Sequence, residues 1–555
     1  MSQSRASELR LVATFGIAVA AATAVLATAF PVYFRMDDVH YLWWAASHPN
    51  PFAAFVPSEA ALIGMHRPVQ NLAWWFLYRL FGMDPTGYQV VVTALHGATL
   101  VAFVLLARRL LSPLAGWAAL AFHLLAFPSL HQVVFWFSDL TFVLEAFLII
   151  VSLLLLTTGP PRTARIAAGL AFFVLAALAK EPAALIVPSV AAWRLWVAWP
   201  DLESRERRLL GATCAVLVVA AATFLLANPH LQTRQDLAGM DPRFLAERWV
   251  FYSRELFRGG GAVLAALVAA LAARRLLPSG QQSGIAGRWL PPVLAALLVL
   301  ALRPFPVIDA LVLVAAVLVL AFARDSEAPA AVWFLLPLAG LLSIEFTTRT
   351  YLFEASFGLV LLGGAAVQQF REDMRLTRVA SAARTAVALI VVVVGAALLA
   401  PMLGEKLQAL RLVSAARQNF RDVVGFIASH RVTDATLVVV DYADMGLDYR
   451  NDILPLPDVV KARRQKTMES PDLRVLLRLL GHGEIRVTTL EGFFLMGDRK
   501  EAFLFVMNRA EEDFLASAPL RHGAVFESRR SGELAALWRI TKLPSCPKPH
   551  ESPPN

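Results

Sequence analysis

The residues that can do chemistry gather in short polar stretches, each set between long apolar runs. FRMDDVHYLWW, Phe34 to Trp44, places Asp37, Asp38 and His40 just past the end of an apolar segment. An anchor at that depth would use Lys, Arg, Trp or Tyr. Paired carboxylates suit proton abstraction in a partly dry cleft, one taking the proton of an attacking hydroxyl while its neighbour orients it. The same pair can equally cap a short interfacial helix, because Asp is a good N-cap. HRPVQNLAWWFLYRLFG, His66 to Gly82, reads as an aromatic helix lying in the interface. Its Arg67 offers a donor fork that matches phosphate oxygens, or it snorkels to lipid headgroups.

Three further stretches supply polar groups. LAALAKEPAALIVP sets Lys180 and Glu181 between two apolar runs, where a cation can neutralise a leaving phosphate. Its plainer reading is a tight turn, with Pro182 starting the next helix. FWFSDLTFVLEAF carries Asp139 and Glu145 inside an apolar helix, and acids in hydrocarbon face a cavity or a partner. Asp139 can line the same cleft, whereas Glu145 lies deeper and fits a structural pair. IEFTTRTYLFEASFG adds Glu345, Arg349, Tyr351 and Glu354, either as a cleft wall or as a polar loop between helices. The candidates divide by role. Asp37 and Asp38 are catalytic, Arg67 and Lys180 bind phosphate, and His40, His66, Asp139, Glu181, Arg349 and Tyr351 line the cavity or acceptor path. His123 and His131 lack a third ligand at metal spacing, so no metal and no cofactor is expected.

The elements that must position these groups are membrane helices. The chain has 555 residues, 57% hydrophobic and 17% charged, with a mean hydropathy of +0.58. Soluble domains carry about 25% charged residues. The net charge of +9 forms no basic face with interleaved aromatics, which argues against nucleic acid; membrane proteins gather Lys and Arg in cytoplasmic loops. Cys214 and Cys546 make no disulfide framework. A Gly-rich phosphate loop, GxSxG, HExxH and paired CxxC are all missing, which removes nucleotide-driven pumps and zinc hydrolases.

Apolar runs of spanning length fall at about 10–33, 87–107, 111–128, 132–157, 164–179, 182–199, 209–227, 260–277, 289–303, 305–323, 330–345, 350–369 and 382–403. The first is too long for a signal peptide and reads as a spanning helix. Basic residues mark every second loop: Arg5 and Arg10, Arg108 and Arg109, Arg162 and Arg165, Arg205 to Arg208, Arg274 and Arg275, Arg371 to Arg378. By the positive-inside rule those loops and the N-terminus are cytoplasmic. Loops 34–86 and 228–259 and everything after 403 then face outside. The expectation is a multi-pass α-helical membrane protein of about 13 transmembrane helices over residues 1–403. A small extracytoplasmic α/β domain follows over 404–540, with a helix at LVSAARQNFRDVVGFIAS and a strand at ATLVVVDYA. A Pro-rich tail, 541–555, is expected to be disordered.

Several of these stretches resemble one family. MDDVHYL resembles the acidic-pair motif in the first lumenal loop of protein O-mannosyltransferases. The run from Arg67 to Leu110, RPVQNLAWWFLYRLFGMDPTGYQVVVTALHGATLVAFVLLARRL, is similar to the Arg-Pro run, Leu-Phe-Gly turn and second helix of that superfamily. The Lys-Glu-Pro loop and RTYLFEASFG resemble its later landmarks, over roughly residues 10–370. The resemblance implies a GT-C glycosyltransferase that uses a polyprenyl-phosphate-linked sugar, with Asp37 as the base. The expected setting is a bacterial plasma membrane, with a protein, lipid or glycan as acceptor. Asp38 stands where Glu is common, and the chain carries neither a β-trefoil insert nor tetratricopeptide repeats, so the acceptor does not carry over. A transporter of lipid-linked glycans would place its charges near the midplane, on helices broken by Gly or Pro. A membrane scaffold displaying 404–555 would leave Asp37 replaceable.

Overall fold

The computed structural model describes residues 37–56, 67–126, 140–158, 162–227, 242–257, 261–276, 285–302, 305–323, 327–341 and 352–376, five strands between 436 and 542, and a few isolated positions. The chain divides into two compact units. One holds residues 1–27, 50–73 and 89–408; the other holds 28–49, 74–88 and 409–555.

Helix α1 (Asp37–Ser47) carries the acidic pair at its start, and α2 (Pro68–Phe81) follows Arg67. Then come α3 (Pro85–Leu110), α4 (Pro113–Ala126), α5 (Leu140–Thr157), α6 (Thr163–Ala179), α7 (Ala183–Ala198) and α8 (Ser204–Ala227). After α9 (Pro242–Phe257), the chain forms α10 (Gly261–Leu276), α11 (Ile285–Leu302), α12 (Pro306–Phe322), α13 (Ala328–Leu341) and α14 (Leu352–Leu376). Proline opens α2, α3, α4, α9 and α12, where its fixed φ fits the first turn and its missing N–H costs nothing. The described part of each apolar run expected between residues 87 and 369 falls on one of these helices. Apart from the helical positions Thr14, Gly16 and Ile17, the run at 10–33 lies outside the described residues, as do the run at 382–403 and the helix expected over 412–429.

Among the described residues α3, α5, α8 and α14 are long and apolar enough to cross a bilayer, and shorter apolar helices accompany them. The surface of α8 fits a lipid solvent. On α8, Val216, Val219 and Leu226 are 52%, 65% and 75% exposed, an arrangement suited to lipid and unsuited to water. This is a multi-pass helical membrane protein.

Helix α14 runs through the middle of the first unit, packed by α4, α10 and α13. Two glycines let neighbours approach. A Cβ added to Gly358 would stand 2.4 Å from the Phe334 backbone nitrogen on α13, and one added to Gly364 would stand 2.3 Å from the Ala115 carbonyl oxygen on α4. Small residues at such crossings are how membrane helices gain contact. Both ends of α14 carry ion pairs. Near its end Asp373 accepts two hydrogen bonds from Arg274 of α10, at 3.0 and 3.3 Å. Glu327, just before α13, accepts one from Arg275 at 2.5 Å. At its start Glu354 meets Lys180. Glu354 and Asp373 are 19 positions apart, which at 1.5 Å per residue is about 28 Å, the thickness of a hydrocarbon core.

In the second unit the start of α1 and the aromatic end of α2 share a stacked core. Tyr41 lies on Trp74 with centroids 5.2 Å apart, and Phe34 meets Tyr88 edge-on at 5.0 Å. Trp75 and Arg79 both donate to the His48 carbonyl oxygen, at 2.8 and 3.2 Å. Gly82 ends α2 at φ 55°, a left-handed cap that suits glycine, and its carbonyl accepts from the Tyr88 hydroxyl at 2.9 Å. The strands β1 (Thr436–Val440), β2 (Arg486–Thr489), β3 (Glu501–Val506), β4 (Ala524–Ser531) and β5 (Ala536–Lys542) form one sheet in the order β2-β1-β3-β5-β4. Strand β1, within ATLVVVDYA, is parallel to both neighbours, while β3–β5 and β5–β4 are antiparallel. Strand β5 reaches two residues into the stretch expected as tail.

Candidate functional site

The first unit builds a charged cluster out of four separate elements. Helix α6 ends at Ala179, with the Lys180 N–H still bonded to the Ala176 carbonyl. Lys180 itself is extended at φ −164°, and α7 begins at Ala183. This three-residue break, Lys180 to Pro182, turns Lys180 and Glu181 off the helix axes. The Lys180 ammonium, whose side chain is 4% exposed, lies 2.7 Å from Glu354 Oε1 and 3.8 Å from Glu145 Oε2. It also sits 3.2 Å from the centroid of the Phe142 ring, a cation–π contact strengthened by burial. Phe142 and Glu145 lie one turn apart on α5, so one face supplies both.

Glu145 has a second task. Its Oε1 accepts a hydrogen bond from the Ala183 backbone N–H at 2.8 Å, so a carboxylate sits at the N-terminus of α7, where the helix dipole favours it. Sequence alone pointed to a structural pair at Glu145, and the partner is Lys180. Glu354 comes from the first turn of α14, 174 positions from Lys180.

Arg67 and Glu181 form the other half of the cluster. The guanidinium donates from Nε at 3.1 Å and from Nη2 at 2.9 Å to the two carboxylate oxygens. Burial pushes the Glu181 carboxyl up, but the Arg67 charge and hydrogen bonds, with the nearby Lys180 charge, outweigh it and bring it down to about 2. Side-chain exposures of 15% and 16% leave this pair the more open part of the cluster. Three carboxylates face two cations here. An incoming anion that takes the Nε/Nη2 edge of Arg67 would have to displace Glu181 from it.

In the second unit Asp37 and Asp38 occupy the first turn of α1, a placement the dipole favours. Asp38 is 0% exposed and Tyr41 6%, so this carboxylate is buried on a helix whose neighbouring positions are aromatic. His40 is partly exposed. The Asp37 side chain, His66, Asp139, Arg349 and Tyr351 lie outside the described residues.

Of the expected groups the structure therefore joins Arg67 to Glu181 and sets Lys180 beside them. The acids that hold Lys180, Glu354 and Glu145, were not among the assigned site residues. A hint existed for Glu354, one residue past a hydrophobic Leu-Phe pair in the same polar segment as Arg349 and Tyr351. His123 is fully buried and stacks on Phe357 at 4.5 Å. Among the described residues no group of three or more His, Cys, Asp or Glu is placed to hold a metal ion.

No family model matches the sequence, and no curated protein matches it. Solved structures share the chain's extent at low identity. ArnT from Cupriavidus metallidurans in the apo state is similar at 14% identity, over 97% of this chain and 98% of that one, with a TM-score of 0.44. The same protein bound to undecaprenyl phosphate is similar at 14% identity, over 98% and 99%, with a TM-score of 0.37. The oligosaccharyltransferase AglB from Archaeoglobus fulgidus, in complex with an inhibitory peptide and a dolichol-phosphate, is similar at 12% identity, over 94% and 74%, with a TM-score of 0.42.

Proposed function

We propose that this protein is a GT-C membrane glycosyltransferase that moves a sugar from a polyprenyl-phosphate donor to an acceptor hydroxyl at the extracytoplasmic face of a bacterial plasma membrane. The observation that carries the reading is the Arg67–Glu181 pair backed by Lys180. It sets a two-point guanidinium fork, paired with Glu181, beside the ends of apolar helices, with a second cation near it. Arg67 takes the donor phosphate as Glu181 releases it. Lys180, fixed between Glu145 and Glu354, stabilises the charge that grows on the leaving phosphate. The family resemblance of the MDDVHYL stretch supports Asp37 as base and Asp38 as its orienting neighbour.

The step balances without any nucleotide. Asp37 accepts the acceptor hydroxyl proton while that oxygen forms a bond to the anomeric carbon. The bond from that carbon to the phosphate oxygen breaks, its electron pair leaves with polyprenyl phosphate, and the anomeric centre inverts. Residues 404–540 belong to the same outer side in this reading, and reporter fusions after Leu110 and Asp444 should read cytoplasmic and extracytoplasmic respectively. Clustering of charge at the ends of α14, and its absence between them among the described ion pairs, favours transfer over transport. Mass spectrometry of cell-envelope glycans with and without the protein tests the reading: loss of one defined glycosyl modification supports it, and an unchanged glycan profile opposes it.

A further inference from the structure

The face of α2 that begins near Arg67 continues through Gln70 and Asn71, three and four positions on, which places them one turn along on the same side. The backbone is already helical there, with the Asn71 N–H bonded to the Arg67 carbonyl at 3.0 Å. Gln70 and Asn71 are each 1% exposed. The Gln70 Oε1 and both amide atoms of Asn71 have no hydrogen-bond partner among the described residues. Buried amides are nearly always paired, and an unpaired one is destabilising. Three such atoms lie one turn along α2 from Arg67.

The chemistry of an amide narrows what that ligand is. An amide oxygen only accepts, and a phosphate diester offers only acceptors, so the donor phosphate cannot satisfy Gln70 Oε1. A polyprenyl chain offers neither kind of group. Whichever way the Asn71 amide is turned, it presents one donating and one accepting end, and adjacent hydroxyls can meet both. Side chains one turn apart on a helix stand about 5–6 Å from each other, a step comparable with that from a glycosyl phosphate to the hydroxyls of its sugar ring. We propose that Gln70 and Asn71 form a hydroxyl-reading subsite for the sugar of the lipid-linked donor, next to the phosphate position at Arg67. This inference rests on the donor reading above and assigns the residues that select the sugar.

The test uses the full chain in lipid nanodiscs. The probes are undecaprenyl phosphate alone and undecaprenyl phosphate carrying mannose, glucose or arabinose. The wild type should bind at least one glycosyl lipid about tenfold tighter than the bare lipid, the scale of one or two net hydrogen bonds. In Asn71→Leu that ratio should fall towards one while affinity for the bare lipid holds, and Gln70→Leu should lower it by a smaller factor. Without lipid, Asn71→Leu should melt at the wild-type temperature or above, because unpaired polar atoms have been removed. A ratio unchanged in both variants overturns the subsite, as does equal loss of affinity for every lipid or a lowered melting temperature in both. A wild type that binds bare and glycosyl lipids equally also overturns it and leaves the phosphate reading standing. A wild type that binds none of the probes overturns the donor reading itself, and the subsite with it.

Discussion

Replacing Lys180 by methionine keeps most of the side-chain volume and removes the charge that holds two buried carboxylates. Glu145 and Glu354 are 0% and 2% exposed, at 3.8 and 2.7 Å from the ammonium. Removing one partner of a buried ionic group costs about 3–5 kcal/mol, because the other is left uncompensated. The Phe142 contact at 3.2 Å is lost as well, worth up to about 2 kcal/mol when desolvated. The expected loss is therefore about 4–6 kcal/mol. Glu354→Met in the same chain removes one stranded carboxylate and should restore about half, since Glu145 keeps its bond to the Ala183 N–H. Unfolding in mixed micelles, followed by the fluorescence of the 13 tryptophans, reads both values. A single-variant cost below about 1 kcal/mol, the level of an exposed ion pair, would refute the reasoning. So would a double variant whose loss equals the sum of the two singles.

Other expectations follow from the same cluster and its scaffold. Glu181→Gln should raise affinity for undecaprenyl phosphate, because it weakens the group competing for Arg67; an unchanged or lower affinity counts against exchange at the fork. Arg67→Lys should bind that lipid at least about tenfold more weakly, because a single ammonium cannot replace the two-point fork, and wild-type affinity would remove Arg67 from the phosphate site. The Glu181 carboxyl is held below its ordinary 4.5, at about 2, so its contribution to stability is full above about pH 4.5 and fades as pH falls towards about 2. The stability difference between wild type and Glu181→Gln should be flat from pH 7 to about 5 and shrink below that; a change centred near neutrality would contradict the pairing. Gly358→Ala drives a methyl into α13 backbone and should cost about 1–3 kcal/mol, whereas Gly211→Ala on α8, with nothing within 4 Å, should be neutral or stabilising by up to about 1 kcal/mol. Equal effects in thermal melts would refute the close crossing.

Much of the helical frame was readable because lipid imposes a length and a composition on each span. Leu140–Thr157 and Ser204–Ala227 need no partner to be recognised. The Lys-Glu-Pro break was readable for a different reason: two charges and a proline have few places to go between apolar runs. What they bind was not readable. Lys180 pairs across 174 positions and Arg67 across 114, and such pairing leaves no periodic trace in one sequence. The charge balance of the cluster was hidden in the same way, because Glu145 and Glu354 looked like separate, minor acids until the fold joined them. Strand β1 was visible as TLVVV, but the sheet order β2-β1-β3-β5-β4 depends on long-range pairing and was not. The amides of Gln70 and Asn71 carry no signal at all in sequence, since only burial without a partner marks them.

The central claim is that Asp37 removes a proton from an acceptor during sugar transfer, and turnover per folded molecule of Asp37→Asn measures it most directly. With glycosyl undecaprenyl phosphate in excess, release of undecaprenyl phosphate should fall by about 10²–10⁴-fold, the usual contribution of general base catalysis, at unchanged abundance and melting temperature. Asp38→Asn should lose less. If Asp37 serves only to start α1, the variant instead loses about 1 kcal/mol of stability and keeps its turnover, and normal turnover per folded Asp37→Asn molecule would contradict the account.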